Sequence, residues 1–303
     1  MLIEVRNDHC RVRRVATVVF FHAHPDDEAI ATGGTMAELS DQGHRVVLVT
    51  ATRGELGERP EGLLGPDEPL TVRRAAELTE ACRILGVARQ TYLGYLDSGM
   101  AGEPSNEEPG CFAAADVDEA GAVLAGILEE EAATVLVTYD EHGGYGHPDH
   151  VQVHRVGMRA AALASTPVVY MATMNRDFIQ GLASQLEDSE WEPPEGSTDG
   201  FDSMGEPASR ITTTVDVARW VDIKRQAMRA HASQITEESF FLSMPDDVFT
   251  VVWGHEWYIR VRPEEDPPLA GGSETALLLD VPHLGEGNGK ADAVPSRPGP
   301  VPT

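Results

Sequence analysis

Residues 15–28 read Val15-Ala16-Thr17-Val18-Val19-Phe20-Phe21-His22-Ala23-His24-Pro25-Asp26-Asp27-Glu28, an apolar run that empties directly into imidazoles, a proline and three acids. A short, β-branched run without polar interruption, closed by a proline that cannot continue it, reads as a strand buried on both faces. The pattern returns further along. Residues 134–139 (TVLVTY) form a second such run, followed by His147-Pro148-Asp149-His150. Both polar words stand where a buried strand opens into a loop and then a helix, and open α/β sheets bind their ligands at those strand ends.

Working outward, 45–50 (RVVLVT), 90–95 (QTYLGY) and 168–173 (VVYMAT) have the same strand character. Segments 28–42, 71–86, 116–131 and 150–164 between them carry apolar residues at helical spacing. Strands alternating with helices imply an α/β, Rossmann-like, mostly parallel sheet with helices on both faces and a site at the C-terminal strand ends. The pattern assigns residues 1–262 to one domain. Within it, 187–209 is acidic, rich in Pro and Gly and without period, and reads as a surface insertion. Order resumes at 211–217 (ITTTVDV), with a helix expected over 216–232 and a last strand over 257–261. From Pro263 onward the composition is that of a mobile tail.

Composition removes several function classes. Fifty acids against 23 Lys and Arg give a formal net charge of −27, the wrong sign for neutralising nucleic-acid phosphates or docking on anionic membranes. Lys224 and Lys290 are the only lysines, so neither a phosphate-loop lysine nor a Schiff-base lysine stands near the motifs. Cys10, Cys82 and Cys111 are odd in number and widely spaced, which reads as reduced thiols in a cytoplasmic protein. The apolar run at 15–21 is far shorter than the ~20 residues a membrane span requires. Assembly into a homo-oligomer is left open.

The two His-Pro-Asp words carry the chemistry. One alone would be an ordinary turn, and Asp26 and Asp27 could simply cap a helix over 28–40. Two of them, each at a strand exit and each with an added acid or imidazole, point to a metal site. Zinc takes imidazole nitrogen and carboxylate oxygen, and a catalytic site uses three protein ligands with one position open. His24 and Asp27 can converge on one point, and the second word offers the third ligand.

The stretches FHAHPDDEAIATGGTMA, VTATRGELGE and TYDEHGGYGHPDHVQVH, with RAHASQ further on, resemble the LmbE/PIG-L family of zinc-dependent N-deacetylases, above all its mycothiol branch. The resemblance covers most of 15–175 and again 211–243. It implies that His24, Asp27 and His150 hold zinc, with ferrous iron an alternative, and that Asp26 is the general base. It also implies that His147 stabilises the oxyanion or protonates the departing amine, that Asp149 orients or tunes His147, and that Tyr145 contacts the tetrahedral intermediate. Glu55, Arg74 and Asp97 fall on positions that hold sugar or inositol hydroxyls, and Met100 on that of a mobile residue in the substrate pocket. The implied reaction removes an N-acetyl or N-acyl group from a glucosamine conjugate of small-molecule size, most directly an N-acetylglucosaminyl-inositol. A mycothiol S-conjugate amidase, a natural-product tailoring deacetylase and a non-catalytic sugar-binding protein are the alternatives.

Other residues have plainer readings. His22 and His154 fit packing or support better than ligation. Glu141 and His142, ahead of Gly143-Gly144, could touch substrate. Gly33 and Gly34 suit close helix packing better than phosphate binding. Arg53 and Glu55 could form a surface salt bridge, and Arg74 could pair with Glu77 one turn on. His231 and Gln234 read as structural or supporting.

Overall fold

The computed structural model describes residues 15–59, 62–65, 67–185, 191–194, 196, 200–261 and 274–278. Seven strands form one sheet: β1 (Thr17–His22), β2 (Arg45–Thr50), β3 (Arg89–Tyr92), β4 (Val135–Tyr139), β5 (Val168–Thr173), β6 (Thr213–Asp216) and β7 (His255–Val261). Their spatial order is β3-β2-β1-β4-β5-β7-β6. The first five are parallel, and β7 runs antiparallel to both β5 and β6. The sheet is therefore mostly parallel, as the alternating pattern predicts.

Strand order decides where the site can be. β1 pairs with β2 on one side and β4 on the other, with Val18 opposite Val135 and Phe20 opposite Val137. The chain winds outward in both directions from this pair, so the crevice at the C-terminal ends of β1 and β4 is the topological switch point. Both His-Pro-Asp words leave the sheet there.

Helices α1 (Asp27–Ala31), α2 (Gly33–Asp41), α3 (Leu70–Leu85), α4 (Val117–Glu130), α5 (Pro148–Ala164), α6 (Arg176–Gln185), α7 (Val221–Ala230) and α8 (Asp246–Trp253) surround the sheet. Val18 to Phe21 and Val46 to Val49 are completely buried, which accounts for runs that are apolar on both faces. The segment expected as one helix over 28–42 breaks at Thr32, whose φ of −137° is not helical. Gly34 at the start of α2 then packs so closely on Val217 that an added Cβ would lie 2.5 Å from the valine Cβ. That is the close-packing role expected of this glycine.

In the stretch read as an insertion, Asn175 bridges Glu206, and Glu206 is buried, which joins this end of it to the sheet. Beyond residue 263, the described residues 274–278 dock: Glu274 bridges Thr213, its carboxylate accepts from Tyr170 Oη at 2.9 Å and from Arg260, and Leu277 is buried. A buried carboxylate that accepts from Tyr170, Arg260 and the Thr213 hydroxyl, with an apolar anchor, outweighs the loop-like composition here. Cys10 and the rest of the C-terminal stretch lie outside the described residues.

Candidate metal centre

β1 delivers His24 through Ala23, and Pro25 turns the chain into α1, which starts at Asp27. Asp27 Oδ2 lies 3.5 Å from His24 Nδ1, and Asp27 Oδ1 lies 3.4 Å from His150 Nε2. His150 comes from the first turn of α5, packed against Gly143, where an added Cβ would stand 2.5 Å from the His150 Cβ. Its Nε2 is buried and has no hydrogen-bond partner among the described residues. An orphaned buried nitrogen is costly unless something fills the gap. A divalent cation between His24, Asp27 and His150 fits both the donor set and the gap.

The surrounding charge favours a cation too. Burial alone would disfavour a charged His24, yet Asp149, Asp27 and Asp97 around it hold its pKa well above the usual imidazole range. Asp27 is held far below the carboxylate range by His150 and His24 despite its burial. The three imidazoles of His24, His147 and His150 also lie close enough to share an ion. The set with Asp27 is preferred, because it supplies a negative charge and because His147 is already engaged.

His147 caps α5. Its Nδ1 accepts the Asp149 backbone N–H at 3.1 Å, so in the neutral ring the proton sits on Nε2. Burial and the nearby His24 and His150 push its pKa down to about 4. The result is a neutral hydrogen-bond donor.

Asp149 departs from expectation. Its carboxylate accepts from Ser98 N at 3.0 Å, contacts Ser98 Oγ, and lies 3.1 Å from His24 Nε2, whereas towards His147 it offers only its backbone N–H. It therefore orients His24 with Nδ1 towards Asp27, the carboxylate–histidine support common behind metal ligands. The reason is position: in the first turn of α5 its side chain reaches Ser98 and His24.

Asp26 does not cap α1 with its side chain. Arg74 donates from Nη2 to Asp26 Oδ2 at 3.1 Å and to the Pro25 carbonyl at 2.6 Å, and from Nη1 to the Gly54 carbonyl at 2.9 Å. Arg74 thus braces the first motif while still lining the cavity, and it does not pair with Glu77, which accepts from Ser233. Burial, partly opposed by Arg74, raises the Asp26 pKa to about 6.

Glu55 accepts the Asp97 N–H at 3.1 Å but is not part of the cavity wall, so its expected contact with substrate is replaced by support of Asp97. Asp97 accepts the N–H groups of Leu56 and Gly99 and lies 3.5 Å from His24 Nε2. Asp97, Met100 and Tyr145 all line one cavity of ≈650 Å³ with the metal-type residues. The Tyr145 ring stands 4.8 Å from that of His150.

His22 is satisfied by Tyr139 Oη at 2.7 Å and Thr32 Oγ1 at 2.9 Å, and His154 by the Tyr139 carbonyl, which leaves both as supports. Glu141 pairs with Arg210, and His142 faces Glu206, away from the ligand set. Sequence reasoning did not connect Glu28 with His231: both are fully buried, 2.6 Å apart, and Glu28 Oε2 accepts the Asp26 N–H at 3.0 Å. The signal was present in the acid that ends the first motif and in the RAHASQ segment.

Comparison with known proteins decides the family. Residues 19–161 match the family model PIG-L, GlcNAc-PI de-N-acetylase. A 1D-myo-inositol 2-acetamido-2-deoxy-alpha-D-glucopyranoside deacetylase of Thermomonospora curvata is 39% identical, over 88% of this chain and 97% of its own. The chain belongs to the PIG-L/LmbE family of de-N-acetylases. Among solved structures, the N,N'-diacetylchitobiose deacetylase from Pyrococcus horikoshii superposes with a TM-score of 0.52 at 22% identity, covering 81% of this chain and 83% of that one. The 4-carboxy-2-hydroxymuconate hydratase from Pseudomonas putida does so with 0.54 at 18%, covering 84% and 100%. These two likenesses establish the fold alone, and a shared fold does not carry a shared chemistry. Among the described residues, no helix is long and apolar enough to cross a membrane.

Proposed function

We propose that this protein is a zinc-dependent cytoplasmic deacetylase that hydrolyses the acetamide of an N-acetylglucosaminyl-inositol. The observation that carries the reading is the partnerless His150 Nε2, facing Asp27 and His24, with Asp26 fixed beside them at the β1–β4 switch point. The name of the 39% identical relative supports the substrate. His24, Asp27 and His150 would hold the ion. When bound, zinc supplies a Lewis acid that polarises the amide carbonyl and brings the pKa of a water down to about 7.

The chain's own groups do the rest. Arg74 occupies Asp26 Oδ2, so Oδ1 is the oxygen left to take the proton of the attacking water. His147, with its proton on Nε2, donates to the carbonyl oxygen as negative charge develops there, and Tyr145, on the wall of the same cavity, adds its hydroxyl. The proton gained by Asp26 is then available to the nitrogen, which leaves as an amine. Asp97 and Met100 stand on the cavity wall for the sugar.

The test is amine release from N-acetylglucosaminyl-inositol by zinc-loaded protein, before and after chelation. Chelation should abolish release and added zinc should restore it. Asp26→Asn should lower kcat by about 10²- to 10⁴-fold with zinc content unchanged. Chelator-resistant turnover, or full activity in Asp26→Asn, would overturn the assignment.

A further inference from the structure

β4 ends at Tyr139, and the next residue, Asp140, is completely buried although it is an acid. Its Oδ1 accepts two backbone N–H groups of the loop that follows, from His142 at 2.9 Å and Gly144 at 3.0 Å, and its Oδ2 accepts the Thr173 hydroxyl at 2.6 Å. The Asp140 carbonyl takes a third loop N–H, from Gly143 at 3.0 Å. One residue thus ties the ends of β4 and β5 to the turn that leads into α5. Among the described residues every donor to this carboxylate is neutral, while the nearby cations are engaged elsewhere: Arg210 holds Glu141 and Glu206, and His142 faces Glu206. A buried acid without a countercharge is costly. Such a cost at one position points to the shape of the loop as what the acid secures.

That shape matters to the site. Gly143, Gly144 and Gly146 have φ of 63°, 74° and 91°, so half of the 141–146 loop is glycine in the left-handed region, with much conformational freedom to lose. Gly143 packs directly on His150, where an added Cβ would stand 2.5 Å from the His150 Cβ and 2.6 Å from its carbonyl carbon. The Gly143 backbone also hydrogen-bonds the His150 ring, whose Nε2 has no partner among the described residues. Tyr145 and His147 then reach the cavity wall from the same loop and its end. Resting on the deacetylase reading, we propose that Asp140 is a positioning residue for the reaction: it fixes the 141–146 loop so that His150 faces the metal position while Tyr145 and His147 face the amide. Its contribution is geometry, not charge.

Two measurements on the full-length protein read this role without turnover: zinc affinity by chelator competition, and the visible spectrum of the cobalt-substituted protein. Asp140→Ala should weaken zinc binding by about 10- to 100-fold and shift the cobalt bands. It should also lower kcat by about 10²-fold with a smaller change in KM. Asp140→Asn is the rescue: its amide oxygen can accept both loop N–H groups, and its NH2 can donate to the Thr173 hydroxyl, which has the Met174 carbonyl 3.4 Å away as an acceptor of its own. This variant should match the parent protein in every readout. Leu128→Ala, buried in α4 just before β4, should lower Tm and leave zinc affinity and the cobalt spectrum as they were. If Asp140→Ala does not fold, Asp140→Ser, which keeps a single oxygen, should show the same losses in smaller measure, and parent-like zinc affinity and kcat in it would overturn the proposal. An Asp140→Ala protein that melts early but binds zinc as tightly as Leu128→Ala overturns it too, as does an Asp140→Asn protein as impaired as Asp140→Ala. Metal-dependent amine release at the parent kcat in Asp140→Ala overturns it while leaving the deacetylase reading intact. Weakened zinc binding in Asp140→Ala, in a protein whose parent releases no amine from N-acetylglucosaminyl-inositol, supports the loop assignment and sinks the deacetylase reading instead.

Discussion

Asp26 adopts φ 121°, a backbone conformation that residues bearing a side chain rarely take. Strain of this kind persists only where neighbours over-determine it. Here Arg74 grips the carboxylate and the Pro25 carbonyl, while Glu28, itself held by His231, takes the Asp26 N–H. His231 is thus a positioning residue for a base some two hundred positions away. Burial opposes both charges of the Glu28–His231 pair, yet their mutual attraction leaves His231 raised and Glu28 lowered from their usual pKa values. The raised His231 contributes stability that is complete below about pH 6.5 and lost as pH rises through its folded value. The lowered Glu28 contributes stability present above about pH 4.3 and lost as pH falls through its folded value. The pair therefore helps most between those limits. His231→Gln should cost about 3–5 kcal/mol within this window and progressively less above it, as read by denaturant melts across pH. A pH-independent difference would show that packing, not charge, is what His231 supplies.

At the scale of elements, α2 owes its position to an absence. Gly34→Ala would push a methyl into Val217 and destabilise the fold by about 1–3 kcal/mol, measured by chemical denaturation, whereas the same change at the open Gly126 should have a much smaller effect. The strands and the two motif turns were legible because each is written locally, as an apolar run followed by a proline word. Metal-ligand candidates were legible for the same reason. The support network was not, because Ser98 on Asp149, Arg74 on Asp26 and His231 on Glu28 each join distant segments. Arg74 was read from its place in the family pattern as a sugar contact, and only the fold shows that it also grips Asp26. Asp140 was hidden for a related reason: its partners on the 142–144 backbone and at Thr173 follow from the fold, and a lone acid after a strand shows no sign of them.

The whole molecule is strongly acidic, with a formal charge of −27. Uniform negative charge destabilises a compact state by self-repulsion, and salt screens it. Scanning calorimetry should therefore find Tm several degrees higher at 0.5 M than at 0.02 M sodium chloride. A fall would mean that surface pairs such as Arg159–Asp118 outweigh the repulsion. The strand order has a temporal corollary. β4 fills the slot beside β1, yet it begins more than a hundred residues after β1 ends. At ribosomal rates of about 5–20 residues per second, a nascent β3-β2-β1 half-sheet, complete at Tyr92, would wait roughly 2–9 s for β4 with its β1 edge, Val18 to Phe20, bare. Such an edge is a template for unwanted pairing with other chains. During synthesis, the strand that will deliver His24 is thus the part of the chain most in need of a chaperone.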